Sequence, residues 1–328
     1  VLERALLERI LRARHAARKR KDVAVKRIVI KVALGLVALL LLLAAGGGVF
    51  VWTQVSAFDQ SMAKVYDVPL REIPKAEGPE ALARGKHLVE SMGACAAADC
   101  HGTSLAGGNT IKAGPLGTVT APNITSAGLG GVYTDAELVR LIEHGIKKSG
   151  TSLRFMAAYE LNWFPDEDLA AIVAYIRSVP PVTKANGPLE IAALGKVLDR
   201  QGMFTFDVAR KIDHSKIEKA PPPAPTAAYG KFIAKGCLTC HGETYGGGPI
   251  PGAPPEFAVP VNLTPHETGL PGYKYEEFTK LLDTGIRRNG KKLDPFMPLV
   301  NLAAMNEVER RALFEFLLTL PPKPFGSR

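Results

Sequence analysis

The sequence predicts an all-α chain: an N-terminal transmembrane helix followed by two tandem copies of one small helical domain. Three observations predict it. A charge-free apolar run follows a basic N-terminal arm, a set of short motifs recurs about 140 residues apart, and apolar residues fall at helical spacing within each copy.

Residues 1–31 form the first segment. Leu2, Leu6, Leu7, Ile10 and Leu11 interleave with Arg4, Arg9, Arg12 and Arg14 at helical spacing, an amphipathic basic arm suited to anionic lipid. This arm holds eleven Lys or Arg against Glu3, Glu8 and Asp22, while the rest of the chain carries thirty basic and twenty-nine acidic residues. The formal charge of +9 is therefore local to the arm, and no nucleic-acid partner is expected for the folded part.

Val32 to Trp52 runs for 21 residues without a charge. At about 1.5 Å per residue this spans roughly 31 Å, enough to cross a bilayer once. Lys and Arg before it and Trp52 after it predict a cytoplasmic N-terminus, with the remainder on the periplasmic face of a bacterial inner membrane. A cleaved signal peptide, with Ala44-Ala45-Gly46 near the cut, is the competing reading. Residues 53–78 read as a stalk.

Residues 79–182 and 228–328 are the two copies, joined by a Pro-rich arm over 183–227 that contains Ala220-Pro-Pro-Pro-Ala-Pro225. The shared offset of about 140 residues relates five pairs of motifs. It carries His101 onto His241, Asn123-Ile-Thr onto Asn262-Leu-Thr, and Gly145-Ile-Lys-Lys-Ser-Gly onto Gly285-Ile-Arg-Arg-Asn-Gly. It also carries Met156 onto Met297 and Pro180-Pro181 onto Pro321-Pro322, so few insertions separate the copies. Leu138, Leu141 and Ile142 match Phe278, Leu281 and Leu282. Ile172, Tyr175, Ile176 and Val179 match Leu313, Phe316, Leu317 and Leu320. These stripes at i, i+3, i+4 are core faces, and Tyr175 and Phe316 on them are expected to pack. Thr134-x-x-Glu137 is a capping box that opens one of these helices.

The chemistry lies in the four cysteines. Cys237-Leu-Thr-Cys240-His241 is a C-x-x-C-H run of the kind that attaches haem c through two thioethers, with the adjacent imidazole as proximal iron ligand. Cys95 and Cys100 precede His101 with four residues between the thiols, a longer spacer that can bulge outward while both sulfurs stay near the porphyrin edge. Two short-loop disulfides or a four-thiolate zinc site are the alternatives, and neither needs a His directly after each pair. Met156 and Met297 lie in loops before the final helix of each copy, at nearly the same distance beyond the respective His. Soft sulfur in a loop suits haem iron as a distal ligand. Of the other histidines, His87 is the one to check for bis-His ligation of the first site.

With these motifs in place, each copy resembles a class I cytochrome c domain over about 79–181 and 228–322. The pair is similar to the dihaem portion of membrane-anchored cytochromes c that accept electrons from periplasmic alcohol, aldehyde and sugar-acid dehydrogenases. The resemblance implies two covalently attached haem c groups, one iron between His101 and Met156 and the other between His241 and Met297. It also implies haem-edge contacts from Asn123 and Asn262, which otherwise brace a turn. Irons with both axial positions filled exchange electrons and do little chemistry on substrates, so an electron carrier is expected rather than an enzyme. The context expected first is a respiratory assembly, with membrane-embedded partner subunits, an upstream donor such as a quinol-oxidising complex or dehydrogenase, and a terminal oxidase or soluble cytochrome downstream. The alternative is the electron-accepting subunit of a periplasmic dehydrogenase. A dihaem peroxidase would need an open iron, which two distal methionines disfavour.

Overall fold

A computed structural model describes residues 2–251, 253 and 257–328, without the side chains of several positions between 2 and 28. The stripe formed by Leu2, Leu6, Leu7, Ile10 and Leu11 lies among those side chains, outside the described residues. The chain divides into two units, residues 1–54 and 55–328.

Helix α1 (Leu2–Ala63) is unbroken. No proline occurs before Pro69, so nothing removes a helical N–H over this length. Within its stretch from Val29 to Ala63 an 18-residue window reaches a mean hydropathy of 2.6, and among the described residues α1 is the one helix long and apolar enough to cross a membrane. The helix continues through the first half of the segment read as a stalk.

In the larger unit, α2 (Gly78–Glu90), α3 (Asp135–His144) and α4 (Asp166–Ser178) build the first copy. Helix α5 (Ala193–Arg200) belongs to the connecting arm. Helices α6 (Ala227–Ile233), α7 (Tyr275–Thr284) and α8 (Glu307–Thr319) build the second copy. The capping box at α3 forms as expected: Thr134 Oγ1 accepts from Glu137 N–H at 3.2 Å and Glu137 Oε2 accepts from Thr134 N–H at 2.8 Å. Helices α3 and α7 each end on a left-handed glycine, Gly145 at φ 62° and Gly285 at φ 65°, the conformation that favours Gly at a helix C-terminus.

The closest helix crossing also occurs twice. A Cβ on Gly85 would stand 2.0 Å from the carbonyl oxygen of Ala171, and one on Gly230 would stand 1.9 Å from that of Ala312. Both crossings, α2 on α4 and α6 on α8, therefore require backbone-to-backbone approach. The expected stripes face inward: Leu138, Ile142, Ile172 and Ile176 are buried, as are Phe278, Leu281, Leu282, Leu313 and Leu317. Tyr175 packs half-buried against this core, and Phe316 meets Tyr245 edge-on at 5.7 Å.

The chain is not all-α, which corrects the sequence expectation. Strands β1 (Thr110–Lys112), β2 (Gly117–Thr120) and β3 (Leu189–Ile191) form an antiparallel sheet in the order β1-β2-β3. Thr110 pairs with Thr120 and Val119 with both Ile111 and Leu189, so β-branched residues line the ladder. Strands of three or four residues are too short for alternation to betray them. The third strand comes from the arm, which is folded: it carries β3 and α5, and its Phe206 joins Val119, Ile191, Phe58 and Met62 in a small apolar cluster.

Candidate functional site

Both histidines that follow a cysteine pair have the same local geometry. His101 Nδ1 lies 2.7 Å from the carbonyl oxygen of Pro122, and His241 Nδ1 lies 2.7 Å from that of Val261. A carbonyl only accepts, so Nδ1 carries the proton in both rings and Nε2 carries the lone pair. That tautomer, fixed by a backbone acceptor, is how metal-binding imidazoles are oriented. Burial lowers the pKa of both rings against the opposing effect of the carbonyl hydrogen bond, which keeps them neutral and ready to donate a lone pair near pH 7.

All four cysteines are free thiols, so the alternative of two local disulfides is not what the structure holds. Burial pushes Cys95 and Cys237 up to about 12 and raises Cys100 and Cys240 as well. Among the described residues no group of three His, Cys, Asp or Glu could hold a metal ion. The long spacer of the first site behaves as its length suggests. Ala98, Asp99 and Cys100 are exposed, while His101 N–H donates to the Cys95 carbonyl at 2.8 Å, so the extra residues loop outward and the two ends of the motif stay together. In the second site Leu238–His241 forms a single helical turn.

Met156 and Met297 are half-buried and sit in matching turns. The carbonyl of Met156 accepts from Ala158 N–H at 2.8 Å and that of Met297 from Leu299 N–H at 2.7 Å. Met156 packs among Leu153, Ala158, Val208 and Ile212. Two thiols, a neutral imidazole with Nε2 available and a thioether on a loop form a donor set that fits haem c, and the chain supplies it twice.

Asn123 and Asn262 are placed as braces. Oδ1 of each accepts the N–H of the Thr two residues on, at 2.9 Å in both copies, and Nδ2 of each donates at 2.7 Å to a carbonyl just past the Pro-Pro, that of Val182 or Lys323. Each thus pins the chain that leaves the final helix of its copy. His87 is engaged elsewhere: its Nε2 lies 2.8 Å from both carboxylate oxygens of Glu309. His144 and His214 face each other through Nδ1 at 3.1 Å.

Sequence reasoning missed the junction between the copies. Glu309, fully buried, accepts from His87 and from Arg84 at 3.3 Å, and Arg84 also holds Asp168 at 2.8 and 2.9 Å. Asn301 donates to the Glu90 carbonyl at 2.7 Å. From the other side Glu160 accepts from Thr239 N–H at 3.0 Å and from the Thr239 hydroxyl, and Tyr159 Oη lies 3.1 Å from that hydroxyl. Thr239 lies between the cysteines of the second site. Asp168 and Glu309 are repeat counterparts, separated by the same offset as Met156 and Met297, so the repeat alignment held a signal for them.

Residues 80–176 match the family model described as cytochrome C oxidase, cbb3-type, subunit III. The cytochrome c subunit of alcohol dehydrogenase (quinone) from Gluconacetobacter polyoxogenes is 30% identical over 181 residues, 52% of this chain and 38% of the relative. The gluconate 2-dehydrogenase cytochrome c subunit of Pantoea cypripedii is 32% identical over 98 residues, 27% of this chain and 22% of the relative. The fructose dehydrogenase cytochrome subunit of Gluconobacter japonicus is 29% identical over 111 residues, 30% of this chain and 23% of the relative. The chain thus spans at most 38% of the length of these relatives.

Proposed function

We propose that this chain, which carries a cytochrome c domain over its first copy, is a dihaem c-type electron carrier held by its N-terminal helix at the periplasmic face of a bacterial inner membrane. The observation that carries the reading is the paired histidine geometry, with the same Nδ1-to-carbonyl bond of 2.7 Å following a cysteine pair in both copies. His101 and Met156 would hold one iron and His241 and Met297 the other, with Cys95, Cys100, Cys237 and Cys240 as thioether attachments. The haem would supply a reversible one-electron centre; the chain fixes its position, excludes water and sets its ligands.

The residues of this chain act by positioning. The carbonyls of Pro122 and Val261 hold the imidazole planes, Asn123 and Asn262 hold the loops beside them, and the closely packed crossings at Gly85 and Gly230 keep each shell rigid. A rigid shell changes little between oxidation states, which keeps electron exchange fast and substrate chemistry absent.

Of the two contexts raised by the sequence, membership of a dehydrogenase fits better than a quinol-oxidising or oxidase-linked assembly. Three relatives with different dehydrogenase names are each a cytochrome subunit, which supports an electron-accepting subunit role for this chain. The partner is then a catalytic dehydrogenase subunit as donor. Denaturing mass spectrometry of the full chain should show two covalent haem additions, and mild-detergent copurification should bring down a dehydrogenase subunit. A single addition, or extraction only as a free monomer, would overturn the dihaem or the subunit part of the reading respectively.

A further inference from the structure

The two copies share a design but differ in what covers it. In the first copy other parts of the chain pack against the hairpin after α3 and the loop before Met156, although Phe155 stays 41% exposed. Val65 bridges Thr151 and Tyr66 N–H donates to the Gly150 carbonyl at 2.9 Å. Asp207 bridges Arg154, Phe206 stacks on Phe155 at 6.1 Å between ring centres, and Val208 fills the space above Gly145.

The same hairpin recurs in the second copy: Ile286 bridges Lys292, and Leu293 N–H donates to the Gly285 carbonyl at 2.7 Å as Leu153 does to Gly145 at 2.8 Å. Here the face stays open among the described residues. Phe296, next to Met297, is 54% exposed although Phe257 touches its ring, and Val300 is 84% exposed where its counterpart Tyr159 is docked on Thr239. The hairpin from Ile286 to Lys292 carries four cations and no acid, and one exposed acid, Asp294, stands between it and Phe296, whose N–H it accepts at 2.9 Å. Arg288 turns back to Glu277, while Lys291 and Lys292 are exposed and without an ion-pair partner among the described residues.

We infer that this open face beside Met297 docks an acidic, soluble one-electron carrier protein. The inference rests on the cytochrome reading above and deepens it by assigning external exchange to the second site. The charge argument selects the occupant: a few separated apolar side chains, with two unpaired lysines on the preceding hairpin, suit a small, charge-steered and short-lived contact rather than a permanent one. The first copy has spent the equivalent surface on its own chain, so its site communicates through the junction with the second. In each event one electron passes between the carrier and one haem iron of this chain, the one being oxidised as the other is reduced; no bond is made or broken.

The test uses the full haem-loaded chain in detergent, with a reduced acidic flavodoxin as probe and stopped-flow spectroscopy at several salt concentrations. Steering of this kind raises association rates by about ten-fold to a thousand-fold. The variant Lys291→Glu with Lys292→Glu is expected to slow the second-order rate at least about ten-fold at low salt and to abolish its decline with added salt. Calorimetry should show a parallel weakening of flavodoxin binding. A charge-matched control away from this hairpin in sequence, Lys75→Glu in the stalk with Lys112→Glu in β1, should leave rate and affinity within about two-fold, small against steering of that size. Equal effects from both variants, or no effect from the first, would overturn the docking site. Haem content and reversible reduction by dithionite are measured on each variant beforehand. Loss of those in the parent chain sinks the cytochrome reading itself, whereas intact haems with an insensitive rate sink only the docking inference.

Discussion

Substituting Glu309 by Ala should loosen the two copies from each other, and its size can be worked from the junction. The side chain is 1% exposed and receives His87 at 2.8 Å and Arg84 at 3.3 Å across the boundary. It also closes the first turn of α8, where its Oε2 accepts from Asn306 N–H at 3.0 Å. Removing one member of a buried ionic cluster costs about 3–5 kcal/mol because the remaining charges stay desolvated. Arg84 keeps Asp168, and both Arg84 and His87 are about a quarter exposed, so the lower end applies, about 3 kcal/mol. For a unit of this size about 2 °C of melting temperature accompanies each kcal/mol, giving a fall of about 6 °C.

The cap and the junction contribute separately, and two further variants divide them. Asn306→Ala removes the cap acceptor for Glu309 N–H and should cost about 1 kcal/mol. His87→Ala removes the Nε2 contact with Glu309 and leaves the cap acceptor Asn306 Oδ1 in place. Thermal melts followed by circular dichroism on the full chain should place Glu309→Ala well below Asn306→Ala. If the two melt at the same temperature, the junction adds no stability and the copies are held by apolar contact alone.

Three other outcomes are expected. Cys95→Ala with Cys100→Ala should reduce covalent haem from two additions to one by denaturing mass spectrometry; retention of two would remove the first site from the attachment chemistry. Met297→Ala should abolish one methionine-to-iron charge-transfer band and lower one reduction potential, since a thioether ligand raises it, while haem mass stays unchanged; an unaltered optical spectrum would exclude Met297 as a ligand. Burial lowers His144 to about 4, below an unfolded value of about 6.5. A depressed folded pKa means that the folded state binds fewer protons, so the His144–His214 contact stabilises above about pH 6.5 and is lost as pH falls toward 4. The arm around His214 should then exchange amide hydrogens faster at pH 5 than at pH 7.5, and His214→Gln should blunt that difference; equal exchange at both pH values would show that the pair does not hold the arm.

Much of the proposed site is legible in the sequence because the covalent attachment proposed for it demands contiguous residues. Cys237, Cys240 and His241 sit together in the chain, and their partner copy could be found by offset. The acceptors that orient the imidazoles, Pro122 and Val261, could not be read in this way, since a backbone carbonyl carries no residue signature. Gly85 and Gly230 gave only a faint sign, as glycines within helices whose purpose appears once Ala171 and Ala312 approach them. The sheet was illegible for a different reason: Leu189–Ile191 gains its strand pairing from Gly117–Thr120, far earlier in the chain and beyond the whole of α3 and α4, and three residues alone set no period.

The junction explains why the chain repeats one domain instead of lengthening it. After each Met loop a short helical turn reaches across to the opening part of the other copy, Glu160 to Thr239 and Asn301 to the Glu90 carbonyl. Residues at matched positions, Glu160 and Asn301, thus each contact the other copy, though at different places in it. Joined in one chain, the two halves are free to diverge. Glu160 holds the attachment segment of the second site directly, whereas Val300, the counterpart of Tyr159, is left 84% exposed. The connecting arm then covers one Met face and leaves the other open. A symmetric pair would offer carriers two equal entrances; this one closes the first copy with its own chain and presents the second, so that the interface inside the protein and the surface outside it have separate tasks.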